Sequence, residues 1–67
     1  MVRRETADPY GEGEALRQLG SALLDIGDRG KAIACLQAAL ELFEELGAPD
    51  AEEVRALLQK GRAADTT

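Results

Sequence analysis

The sequence predicts an all-α protein, a helical hairpin followed by a third helix. Three observations predict it. Apolar residues recur at steps of three and four from Ala15 to Ile26, again from Ala32 to Leu46, and more briefly at Val54, Leu57 and Leu58. The segments between these runs are Gly27-Asp28-Arg29-Gly30 and Gly47-Ala48-Pro49-Asp50, made of the residues that cap and end helices. No stretch alternates with period two, so no strand is expected.

Residues 1–8 are polar and aperiodic and read as a loose arm. Asp8-Pro9 opens the first helix: the carboxylate caps free N–H groups, and proline is tolerated at the first helical position. Gly11 and Gly13 weaken this start, each by about 1 kcal/mol relative to alanine. The apolar stripe then reads Ala15, Leu16, Leu19, Ala22, Leu23 and Ile26. Gly20 lies on it, and is expected to let the second helix come close. Gly27 ends the helix and Asp28 caps the next, which is expected from about Arg29 to Leu46. The second stripe is Ala32, Ile33, Leu36, Ala39, Leu40, Phe43 and Leu46, widened by Leu42. Gly47 and Pro49 stop it. Asp50 followed by Glu53 resembles a capping box, so a third helix is expected over 51–60, with Gly61 ending it. The domain is thus 9–60, and 61–67 reads as a disordered tail.

A chain of 67 residues makes one small domain. Domains below roughly 70–80 residues usually need further support. One cysteine, Cys35, allows no internal disulfide, and with no histidine there is no zinc set. Self-association, tight helix packing or a longer parent chain are left. The net charge of −5 argues against a nucleic-acid partner and an anionic membrane surface. No apolar run approaches about 18 residues, and the start MVRRETADPYGEG lacks the apolar segment of a signal peptide. A lone cysteine fits the reducing cytoplasm. Heavy use of Ala, Leu, Gly, Arg, Glu and Asp points to a GC-rich bacterial genome.

The helices carry a recognisable spacing. Leu16-x2-Leu19-Gly20-x2-Leu23, followed by Ala32-x3-Leu36 and Ala39, resembles the tetratricopeptide repeat, a helix–turn–helix unit of about 34 residues. Leucine replaces the family's aromatics, and the second helix runs past the family's proline position, near Glu44, to Leu46. That longer form is similar to repeats trailing some actinobacterial regulators and signalling ATPases. The resemblance covers 13–46, about half of the chain. The third helix fits it less well and reads as a capping helix or the broken start of another repeat. In this family the first helix of each repeat lines a ligand-facing groove. Carried over, the groove residues are Glu14, Arg17, Ser21, Leu24 and Asp25, with Leu24 as an apolar anchor for a peptide or partner helix.

No catalytic constellation is present in the sequence. Neither Ser21 nor Cys35 has a histidine to activate it, and no Gly-rich phosphate loop follows a strand. Cys35 reads as a half-buried filler on the flank of the second stripe. Glu41, Glu44, Glu45, Asp50, Glu52 and Glu53 form an acidic cluster without calcium-loop order, and Arg3-Arg4 is too short for a nucleic-acid arm. No cofactor, metal or small-molecule substrate is expected. The sequence therefore points to a protein–protein contact or self-association module, a homodimer meeting through Ile33, Leu40 and Phe43. The alternatives are an excised piece of a larger repeat-containing regulator and a monomeric peptide adaptor.

Overall fold

The computed structural model describes residues 8–64. They form three helices in succession: α1, Pro9–Asp25; α2, Arg29–Leu46; and α3, Asp50–Ala64. Helix α1 packs along α2 and α2 along α3, while α1 and α3 touch at few points. Residues 1–7 of the expected loose arm and 65–67 of the expected tail lie outside the described residues, whereas 61–64, expected in the disordered tail, are helical. Asp8 belongs to the fold, because its carboxylate accepts the Gly11 N–H at 3.0 Å and caps α1 ahead of Pro9.

The two turns are built alike. At the end of α1 the Asp28 N–H donates to the Leu23 carbonyl at 2.9 Å and the Gly27 N–H to Leu24 at 3.1 Å. At the end of α2 the Ala48 N–H donates to Phe43 at 2.9 Å and the Gly47 N–H to Glu44 at 3.1 Å. Both are Schellman motifs, which need a left-handed residue, and the glycines supply it at φ 86° and 66°. Asp28 then caps α2, accepting the Lys31 N–H at 3.4 Å.

Helix α3 departs from expectation at both ends. Asp50 is its first helical residue rather than its cap, and accepts the Tyr10 hydroxyl at 3.0 Å. Gly61 does not terminate it. The helix continues to Ala64, and Gly61 is buried where a Cβ would stand 3.1 Å from Leu24 Cδ2. Glycine is used here for close packing, and it remains compatible with a helix at a cost of about 1 kcal/mol.

Leu36, Phe43 and Val54 are fully buried at the centre, with Ala32, Ala39, Ala51 and Leu58 around them. The Tyr10 ring meets that of Phe43 with centroids 5.5 Å apart and planes at 60°, a tilted pair of the favoured kind. Gly20 has the role expected of it: a Cβ there would lie 2.6 Å from Leu36 Cγ. Gly13 does the same under the Phe43 ring, with a Cβ position 2.9 Å from Cε1. The face that α1 turns to α2 is therefore its glycine face, which corrects the expected stripe. Leu16 packs against the core, whereas Leu19 is 51% exposed and Ile26 75% exposed.

Candidate contact surface

The five groove residues do share one side of α1. At 100° per residue, Glu14, Arg17, Ser21, Leu24 and Asp25 fall within about a 100° arc. That arc turns toward α3: Arg17 Nη1 lies 3.8 Å from Glu53 Oε2, and Leu24 abuts Gly61. Leu24 is half-buried and packed against the core, so the expected apolar anchor is already engaged within the chain.

The residues expected to meet a second copy are placed differently as well. Phe43 is fully buried beneath Tyr10 and Gly13 and presents no surface. Ile33 and Leu40 are half-buried and pack on the core, on the side of α2 that receives α3. The correction has a simple cause: α3 covers the side of the hairpin that a second copy was expected to cover.

The uncovered side is the opposite one. On α1 it carries Ala15, Leu19, Ala22 and Ile26, all exposed and successive at steps of four, three and four. On α2 the corresponding line holds half-buried Cys35 and Leu42 and ends at Leu46, 45% exposed. Glu12 at the start of α1 and Lys31 at the start of α2, both exposed, stand at its two ends, and exposed Gln18 borders it.

Of the acidic cluster, Glu44, Asp50, Glu52 and Glu53 are engaged in ion pairs or hydrogen bonds. Arg55 Nη2 sits 2.6 Å from Glu44 and its Nη1 3.5 Å from Glu52, joining α2 to α3. Among the described residues no group of acidic or cysteine side chains is arranged to hold a metal. The Tyr10 hydroxyl is pushed above its ordinary value, chiefly because it donates to Asp50 and next because it is desolvated. An open groove of about 610 Å³ between α2 and α3 is lined by Leu40, Leu58, Gln37, Gln59, Arg55 and Arg62 among others. It contains neither a nucleophile nor a general base. No described helix is long and apolar enough to cross a membrane.

This arrangement defines a class: a small three-helix protein, apolar on one outer side and polar on the other. Comparison with known proteins gives one informative match. The chain is 43% identical over 58 residues to the regulatory protein AfsR of Streptomyces griseus, an actinobacterial regulator. The match takes in 87% of this chain and spans 6% of the length of that regulator. No family model matches the chain. No solved structure matches it either.

Proposed function

We propose that the chain is a non-catalytic contact module of the tetratricopeptide type, which acts by burying the outer face of α1 against another protein surface. The exposure of Leu19 and Ile26 carries this reading. A small domain short of core has placed two large aliphatic side chains on one line in water. Contiguous exposed apolar surface of this kind marks contact sites. The close approach at Gly20 and the spacing from Gly20 to Ala32 fit the repeat resemblance. The similarity to a regulatory protein fits a binding role rather than catalysis. The reading places the module, over 9–60, in the cytoplasm, where Cys35 stays reduced.

A second reading is that the chain is one unit of a larger regulator's helical array. It is favoured by the match to a small part of a much longer regulator. Stacked repeats cover one another's apolar faces, and the α1 face is of that kind.

The test is the double variant Leu19→Glu, Ile26→Glu, studied at low micromolar concentration by circular dichroism and binding of an apolar-surface dye. A docking face predicts unchanged helicity and thermal midpoint with loss of dye binding. Collapse of the helical signal would show that these side chains belong to the core and would end the reading.

A further inference from the structure

The contact-module reading leaves open what covers the α1 face, and the inference here rests on that reading. We propose that a second copy of this chain covers it, with α1 packed antiparallel against α1 across a two-fold axis.

The first argument is the chemistry of the two outer sides. A copy added head to tail would lay the outer face of α3 on the α1 face. That outer face exposes Glu52, Gln59 and Lys60. Burying these groups on an apolar line would strip water from charges and supply no partners. A heterologous stack is therefore disfavoured, and the isologous arrangement, in which the face meets itself, is left.

The second argument is shape. With the axis midway between Leu19 and Ala22, Leu19 faces Ala22 of the second copy and Ile26 faces its Ala15, since each pair of numbers has the same sum. A large side chain meets a small one at every level. That is the alternation by which two helix surfaces interdigitate.

The third argument is charge. Glu12 lies at one end of the line and Lys31 at the other, and the Lys31 side chain is 78% exposed, only 3.9 Å from Asp28 at its nearest ion-pair contact. An antiparallel pair brings Glu12 of each copy to the Lys31 end of the other, twice over. A parallel pair would bring Glu12 to Glu12. The antiparallel arrangement also opposes the two helix dipoles favourably.

The size of the face sets the strength. Two helices about 25 Å long and 8–10 Å apart present on the order of 500 Å² per copy. The total of roughly 1,000 Å² is at the floor for a specific interface. An interface this small belongs with weak, transient contacts, so association is expected only at the upper end of the concentration range tested.

Sedimentation equilibrium of the full chain from 1 µM to about 1 mM, at low salt, tests this. The expected mass rises from 7.1 kDa to twice that value and stops. Leu19→Glu abolishes the rise. Glu12→Lys and Lys31→Glu each weaken association about fivefold, as two exposed pairs are reversed at once, and the double variant restores it. Both charge variants alter exposed residues, giving up only the Lys31–Asp28 contact and the Glu12 helix-start charge, and an unchanged far-UV spectrum of each shows that the fold is kept. A 7.1 kDa species at every concentration, growth beyond a dimer, or no restoration in the double variant would overturn the two-fold proposal. None of these results touches the contact-module reading, which stands or falls on whether the Leu19→Glu, Ile26→Glu variant stays folded in dilute solution.

Discussion

Replacing one hydrogen by a methyl group at two glycines of the same hairpin is expected to shift stability in opposite directions. Gly30 lies in the first turn of α2, exposed, with nothing within 4 Å of a Cβ built on it. Gly30→Ala therefore gains only helix propensity, at most about 1 kcal/mol and less near a helix start. Gly20→Ala gains the same propensity but places its methyl 2.6 Å from Leu36 Cγ, 2.7 Å from its Cδ2 and 3.3 Å from the Ala32 carbonyl oxygen. Leu36 is fully buried and cannot swing aside, so the two helices must separate. Overpacking of this kind costs about 1–3 kcal/mol, which outweighs the propensity gain by up to roughly 2 kcal/mol. Urea denaturation followed at 222 nm, at a concentration where the chain is monomeric, measures both variants. In a domain of this size 1 kcal/mol corresponds to a shift of roughly 4–8 °C in thermal midpoint, so the difference is easily resolved. Equal stabilisation by the two substitutions would refute the close approach of α1 to α2, and with it the assignment of the glycine face as the buried face of α1.

Phe43→Ala removes a fully buried ring and the Tyr10 contact; the expected loss of about 3–5 kcal/mol is comparable to the whole stability of so small a domain, so cooperative unfolding should disappear from calorimetry. The single tyrosine can be titrated by its ultraviolet absorbance without interference from tryptophan. Its midpoint should lie above 10.0 and fall back toward that value in Asp50→Asn, where the largest cause of the shift is weakened. Because the folded pKa is raised, the contribution of Tyr10 to stability is fully present below 10.0 and is lost as pH climbs through the folded midpoint. A denaturation series at rising alkaline pH checks this, and a Tyr10→Phe variant should lack that step.

The helices and turns were legible in the sequence, because Asp8, Gly27, Asp28 and Gly47 act locally. Each satisfies backbone groups within a few residues, and no tertiary partner is needed to make it do so. Which side of α1 is buried was not legible from side-chain hydrophobicity. The leucines and alanines of α1 occupy two neighbouring lines, and a stripe drawn through both gives the larger apolar residues to the core. Closeness of approach decided instead. Gly13 and Gly20 stand seven residues apart, almost two helical turns, so they mark a single line. That spacing was the available signal for the buried face, and reading Gly13 as a weakness of the helix start, apart from Gly20, concealed it. The same error hid Gly61, whose missing side chain lets α3 seat against Leu24 and Ile33. With α3 seated there, Leu24, Ile33 and Leu40 leave the list of free surface residues, and Leu19 and Ile26 enter it.

The two candidate occupants of the α1 face place the same demand on whatever covers it. A neighbouring hairpin of a longer regulator would have to present an apolar line in which small residues meet Leu19 and Ile26 and large ones meet Ala15 and Ala22. The chain itself carries such a line, read backwards. Hence the isolated chain and a chain within an array compete for one surface, and a covering hairpin would exclude the dimer. The outer side of α3 offers no equivalent surface, since Glu52, Gln59 and Lys60 remain in water. Among the described residues the proposed contact therefore falls on the α1 side. On the proposed reading, such a module would close an assembly after one contact, whether that contact is a neighbouring hairpin or a second copy.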